Sequence, residues 1–305
     1  EDHADNYSIR IDRGDSLTEI GQRLKEKGLI KSTGIFKIYS FLIGAAHRFK
    51  PGIYHFTEDD GITKIVQTLM IGPQPVDIII PEGLTLRDID FQLTEGGIIK
   101  KGDLAQFAAS DNWKPLKENY WFLKDVDMLE GFLFPDTYKF MPGTPPEAVL
   151  KTILDNFKAK TTPLLSERKD WYSIVILASL LEKEIPQNND RLLVAGVLQK
   201  RLALGMPLQV DATVTYVKCE GEYSVCDNRQ LNRSDFNIDS PYNTYLYKGL
   251  PPSPIANPGL NAIKAALGPK KSSYLFYLSD PKTQRTIYSR TFEEHNENRF
   301  KYLNI

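Results

Sequence analysis

Hydrophobic positions recur along this chain with two periods, and the switches between them mark out strands and helices. Near the N-terminus Tyr7, Ile9 and Ile11 alternate with polar residues, a period of two that predicts a strand. Gly14 follows as a turn. Leu17, Ile20 and Leu24 then recur at spacings of three and four, which predicts a helix with one apolar stripe, stopped at Gly28. The same grammar returns further on. The segment IRIDRGDSLTEIGQRLKEKGLIK from Ile9 matches IIPEGLTLRDIDFQLTEGGIIK from Ile79 at an offset of 69 residues. Gly14 aligns with Gly83, Leu17 with Leu86, Ile20 with Ile89, Leu24 with Leu93, Gly28 with Gly97 and Lys31 with Lys100. Because the glycines align as well as the stripe, this reads as a repeat of strand, turn, helix and turn, with two unrelated amphipathic helices as the plainer alternative.

Between the copies, FKPGIYHFTEDDGITKIVQTLMIGP reads as a strand and a short helix, making residues 1–75 a βααβ-like unit with a helical tail. From Asp103 to Lys169 the pattern is helical with loops. It is interrupted by LEGFLFPDTYKFMPGTPP, where Gly131, Pro135, Pro142, Pro145 and Pro146 forbid a long helix and predict a structured loop or linker. The strongest helical pattern starts at Trp171. After it come a polar loop over about 218–240, a turn rich in proline (Pro251, Pro252, Pro254, Pro258), a helix over Leu260 to Leu267, a hairpin from Tyr274 to Arg290 and a C-terminal helix. The fold class is therefore α+β, with a small module over 1–75, an intermediate segment over 76–165 carrying the second copy of the repeat, and a main domain over 166–305.

Composition narrows the function. The 305 residues are 41% hydrophobic and 25% charged with a net charge of −1, ordinary for a folded protein and unsuited to a general electrostatic grip on nucleic acid or an anionic membrane. The longest apolar runs, Ile38 to Ala46 and Ile174 to Leu181, fall far short of the ~20 residues that span a bilayer. His3, His47, His55 and His295 are scattered without ligand spacing, so no metal centre is expected. No phosphate-binding glycine loop and no GxSxG nucleophile elbow occurs. Cys219 and Cys226 flank a polar loop, compatible with two free thiols or with one disulfide formed in an oxidising compartment.

Candidate chemistry concentrates in WYSIVILASLLEKEIP. With Ile174 at 0° and about 100° per residue, the buried stripe centres near about 350°, Glu182 falls near about 80° and Glu184 near about 280°. The two carboxylates point apart, and Glu184 shares its column with Leu177 and Leu180. Pro186 disfavours helical geometry at Ile185 and so puts Glu184 in the last turn, at the negative end of the helix dipole. An apolar wall and a helix C-terminus both favour the protonated carboxyl, as a general acid needs, although a charged, solvated helix end is the plainer reading. LQVDATVTY places Gln209, Asp211 and Thr213 on one face of an extended segment. Tyr242, Asn243, Thr244 and Tyr245 sit beside the proline turn, with aromatic faces and amides suited to sugars. Glu130 and Asp136 in EGFLFPDTY are further acids, with loop capping as the alternative.

Taken together, ASLLEKE, GMPLQVDATVTY, YNTYLYKGLPPSPIANPGLNAIKAAL and the preceding EGFLFPDTY resemble, in order and spacing, the endolytic murein transglycosylases of the MltG (YceG-like) family. The resemblance covers nearly the whole chain. It implies an N-terminal LysM-like module and a catalytic domain with a lysozyme-like active-site helix. It also implies cleavage of nascent peptidoglycan between MurNAc and GlcNAc within the strand, leaving 1,6-anhydroMurNAc ends, with no cofactor. The family's acid is the second Glu of EKE, here Glu184, and Gln209, Asp211, Thr213, Tyr242, Asn243 and Tyr245 become the expected sugar contacts. It further implies an N-terminal membrane anchor absent from this chain, a site outside the cytoplasmic membrane, and association with cell-wall synthases. An exported domain would favour the disulfide. The sequence departs from the family pattern at Ile185, Lys200 and Val210. A muramidase with Asp211 as second carboxylate and a non-catalytic glycan-binding scaffold are the alternatives.

Overall fold

The repeated strand-turn-helix grammar is realised in the computed structural model, which describes residues 7–12, 14–185, 187–283 and 285–303. In chain order the elements begin with β1 (Tyr7–Ile11), α1 (Leu17–Glu26), α2 (Thr33–Leu42), β2 (Gly52–Phe56) and α3 (Ile62–Ile71). There follow β3 (Val76–Ile79), α4 (Leu86–Glu95), α5 (Asp103–Ala109), β4 (Thr137–Phe140) and α6 (Pro146–Leu165). The remainder is α7 (Trp171–Glu184), α8 (Asn188–Ala203), α9 (Asp211–Lys218), α10 (Leu260–Leu267), β5 (Phe276–Ser279), β6 (Thr286–Ser289) and α11 (Phe292–Leu303). Among the described residues the strands pair only in twos, β1 with β2, β3 with β4 and β5 with β6, so helices build most of the core. Two compact units result: residues 1–78 with 93–101 and 138–146, and residues 79–92 with 102–137 and 147–305. Residues 76–165, expected as an intermediate segment, are divided between them.

In the first unit β1 and β2 run antiparallel, with Ile9 opposite Tyr54 and Ile11 opposite Gly52. The alternation that predicted β1 turns Ile9 and Ile11 inward onto Tyr54, Phe56, Ile20, Leu24, Phe36, Ile65 and Leu69, which form one buried cluster. Helix α1 opens with a reciprocal cap in which Ser16 and Glu19 satisfy each other's backbone N–H groups. Its end shows why the glycines align in the repeat. Gly28 (φ +77) and Gly97 (φ +68) both adopt the left-handed conformation. The next residue's N–H then bonds back across the turn, Leu29 to the Leu24 carbonyl at 3.0 Å and Ile98 to the Leu93 carbonyl at 2.9 Å.

The second unit is organised around α7. Every residue from Ile174 to Leu181 is buried, so the single stripe expected from the sequence gives way to burial on all sides. Helices α8, α9 and α10 each pack against it, and α10 packs against α8 as well. At its N-terminal end Trp171 and Tyr172 join an aromatic cluster with Trp121, Phe122, Phe132 and Phe157, in which Phe122 and Phe157 lie 4.6 Å apart. The loop expected over residues 129–146 contains strand β4.

Directly after α9, Cys219 and Cys226 form a disulfide with their Cα atoms 5.5 Å apart, choosing between the two thiol readings. Closing so short a loop is worth about 2–3 kcal/mol in chain entropy. Thiol titration of denatured, unreduced protein is expected to find no free thiol. The Cys219→Ser/Cys226→Ser variant is expected to unfold at lower denaturant concentration by that amount.

Candidate active site

Helix α7 ends at Glu184. Ile185 leaves it in an extended conformation (φ −127, ψ 103), while its N–H still closes the last turn on Leu181 at 3.0 Å. Pro186, from which the stop was expected, lies outside the described residues. Glu184 is half-buried as a residue, its carboxyl is surrounded by protein, and Oε1 accepts the Ala212 N–H at 3.0 Å. Ala212 lies in the first turn of α9, where backbone donors have no partner within their own helix. The last residue of one helix thus serves the open start of another. Burial pushes the carboxyl up to about 7, the Ala212 N–H holds it down, nearby Asp211 pushes it further up, and a hydrogen bond with Tyr277 of β5 holds it down.

Several contacts aim α9 at this carboxyl. Buried Arg201 of α8 donates through Nη1 to the Leu208 carbonyl at 2.6 Å and through Nε to the Leu275 carbonyl at 2.7 Å, tying the loop before α9 to the residue before β5. Gln209 then takes φ 51, a left-handed conformation rare outside glycine, and its N–H bonds the Thr244 carbonyl at 3.1 Å. Val210 donates its N–H to Thr244 Oγ1 at 3.0 Å, and Thr213 Oγ1 donates to the Val210 carbonyl at 2.7 Å.

These contacts change the placement of the expected sugar ligands. LQVDATVTY is not extended: α9 starts at Asp211, so Gln209, Asp211 and Thr213 do not share a strand face. Thr213 turns inward and is fully buried. Asn243 is also buried, donating to the Phe236 and Ile238 carbonyls at 3.0 and 2.9 Å and accepting the Tyr245 N–H, so its amide is spent within the protein. Asp211 is exposed and accepts a hydrogen bond from the Tyr245 hydroxyl, which brings both to Glu184. Gln209 is exposed just before α9. Tyr242 stands on a neighbouring aromatic wall, its ring 5.3 Å from Tyr216 and its hydroxyl 2.6 Å from Ser253 Oγ. Tyr277 and Arg201 were not singled out from the sequence, since no spacing rule links a hairpin residue to a distant helix end.

Nor is EKE a solvated helix end. Glu182 is buried in an ion pair with Arg191 of α8 at 2.5 Å and accepts the Gly259 N–H at 2.9 Å. Lys183 lies over the Tyr223 ring at 3.8 Å and donates to the Gly83 carbonyl at 3.2 Å. Glu130 is buried too. It accepts the Leu86 N–H at 3.1 Å and the Asn257 amide at 2.9 Å, and burial pushes it up to about 8. Asn257 in turn accepts the Gly131 and Leu133 N–H groups, both at 2.8 Å, joining EGFLFP to the proline turn. Asp136 accepts from Thr137 N–H and Asn156, in a loop-capping role. Among the described residues no His, Cys, Asp and Glu cluster could hold a metal ion.

Two stability predictions follow from this framework. Glu182→Gln removes the countercharge from the buried Arg191 guanidinium and is expected to cost about 3–5 kcal/mol in denaturant unfolding, whereas Glu182→Gln with Arg191→Met costs less. Glu130 has its folded-state affinity for a proton raised, so its neutral form contributes stability at pH below about 4.5 that is lost as pH rises through about 8. Melting temperatures from pH 5 to 9 are expected to fall less steeply in Glu130→Gln than in the parent.

Residues 9–301 match the model of the YceG-like family. The chain is 33% identical over 319 residues to the endolytic murein transglycosylase of Bacillus subtilis strain 168, covering 99% of this chain and 86% of that protein. It is 30% identical over 325 residues to the endolytic murein transglycosylase of Streptococcus pneumoniae serotype 2, covering 97% of this chain and 58% of that longer protein. Among solved structures, a YceG-like protein of Listeria monocytogenes is similar with a TM-score of 0.65 at 31% identity, covering 97% of this chain and 99% of that one.

Proposed function

Because the chain belongs to the YceG-like family, we propose that it is an endolytic murein transglycosylase in which Glu184 is the single proton-transferring group. The observation that carries the reading is a carboxyl on a half-buried residue, pushed up to about 7 by burial and held by Ala212 and Tyr277. A carboxyl in this state is protonated in a large share of molecules at neutral pH and can both give and take a proton.

The reaction breaks the bond between MurNAc C1 and the GlcNAc oxygen within a glycan strand. Glu184 delivers its proton to the leaving oxygen as the C1–O bond lengthens. The resulting carboxylate, stabilised by the Ala212 N–H and the Tyr277 hydroxyl, then takes the proton from the substrate's own C6 hydroxyl. That oxygen bonds to C1 and leaves a 1,6-anhydroMurNAc end. No water is consumed. The nucleophile is tethered to the reacting centre, so a high effective concentration replaces the second carboxylate that glycoside hydrolysis generally needs. Gln209, Asp211, Tyr245 and Tyr242 are the proposed sugar contacts, with Thr213 and Asn243 as framework residues. The βααβ arrangement of the first unit supports a LysM-like, glycan-binding role. The reading also includes an N-terminal anchor, a location outside the cytoplasmic membrane and cell-wall synthases as partners. No described helix is long and apolar enough to cross a membrane.

Glu184→Gln is expected to abolish release of muropeptides from purified sacculi while leaving the circular dichroism spectrum unchanged. Mass spectrometry of the parent's products is expected to show anhydro ends, one water lighter than hydrolysis products. The alkaline limb of kcat/KM is expected near pH 7, because activity needs the protonated acid and is lost as pH rises through that value. Asp211→Asn is expected to slow the reaction and keep the anhydro product. Reducing ends from the parent, together with complete loss of turnover in Asp211→Asn, would instead assign a muramidase in which Asp211 is the second carboxylate. Binding to sacculi with no product release would leave only a glycan-binding scaffold.

A further inference from the structure

Helix α2 is apolar on both sides. Phe36 and Ser40 face the core of the first unit, but Ile35, Ile38, Phe41 and Leu42 are 62, 64, 74 and 76% exposed. With Phe36 at 0°, these four fall between about 140° and 260°, a continuous stripe opposite the buried face. A surface helix of a soluble domain normally turns polar residues outward, and a contiguous exposed apolar patch marks an interaction surface.

The charges around the stripe indicate what covers it. Between Glu26 and Glu58 the chain has no Asp or Glu, whereas Lys27, Lys31, Lys37, Arg48 and Lys50 all fall within that interval. In a chain whose overall charge is −1, this is a concentration of one sign along the segment that carries the apolar stripe. A second copy of the chain would bring the same cations against these, and repulsion would oppose it. A glycan strand would call for aromatic platforms beside amides and carboxylates, and α2 exposes one aromatic ring and no such groups on this face. A bilayer of anionic lipid satisfies both features, because branched and aromatic side chains enter the boundary of the acyl chains while lysine and arginine meet the phosphates.

We propose that the outward face of α2 docks on an anionic lipid surface, seating Ile35, Ile38, Phe41 and Leu42 at the headgroup boundary with Lys31 and Arg48 on the phosphates. A stripe one short helix long gives weak, reversible docking. The inference is independent of the catalytic reading, so Glu184→Gln is expected to bind lipid as the parent does.

The test is sedimentation of the full chain with vesicles of phosphatidylglycerol and phosphatidylethanolamine, against vesicles of phosphatidylcholine alone. Binding is expected to the anionic vesicles at low salt and to weaken markedly at about 0.5 M salt. Ile38→Ser/Phe41→Ser/Leu42→Ser is expected to lower the bound fraction by about tenfold or more with the melting temperature unchanged. Lys31→Glu/Arg48→Glu is expected to remove the preference for anionic lipid, and Phe41→Trp to shift its emission to the blue on the anionic vesicles alone. Absence of vesicle binding at low salt, or undiminished binding in the triple serine variant, would overturn the proposal. So would a concentration-dependent dimer by light scattering that the triple variant abolishes, which would assign the stripe to a second copy.

Discussion

The contact between the end of α7 and the start of α9 is the constraint on which the candidate site depends. A carboxyl at the C-terminus of a buried helix is pressed toward its neutral form, because charge there is poorly solvated and faces the negative end of a dipole. The first turn of α9 supplies the opposite influence, a backbone N–H that favours the carboxylate. Burial outweighs it without cancelling it, and Glu184 is left able to exchange a proton near neutrality. A single acid that must first give and then recover a proton needs this balance, since a group held firmly in either state would serve one half of the reaction only.

Holding two helix ends in register requires a stiff frame, and the frame is built from buried polar groups that satisfy one another. Glu182, Arg191 and the Gly259 N–H fasten α7 to α8 and to the start of α10. Glu130 and Asn257 fasten the EGFLFP segment to the proline turn. Thr213, Thr244 and Val210 fasten the start of α9. Each group would be costly to bury alone, so removing one partner penalises the fold beyond the bond that is lost. The motifs that resemble a catalytic signature in the sequence are therefore largely this scaffold.

Much was legible in the sequence where the signal is local. Alternation at Tyr7, Ile9 and Ile11 and the helix over Leu260 to Leu267 follow from periodicity, which a short stretch of chain sets for itself. The paired glycines Gly28 and Gly97 were legible because a left-handed residue after a helix excludes most side chains. Glu184 was singled out on a local arrangement, an acid at a helix end beside an apolar column, but its raised proton affinity comes from burial by the surrounding protein and from Asp211 of another helix.

The tertiary structure alone decided what depended on distant partners. LQVDATVTY alternates like a strand, yet the chain turns at Gln209 through a left-handed conformation and enters a helix, because Thr244 and Arg201 hold the loop from elsewhere. That turn sends Thr213 inward, brings Asp211 beside Glu184 and leaves Asn243 bonded to carbonyls of its own loop. Tyr277 reaches the acid from a hairpin near the other end of the chain, and Glu182 finds its countercharge on the following helix. Spacing carries the period of an element and the chemistry of its residues. Which buried donor meets which acceptor is set by packing between elements, and only the folded chain brings those elements together.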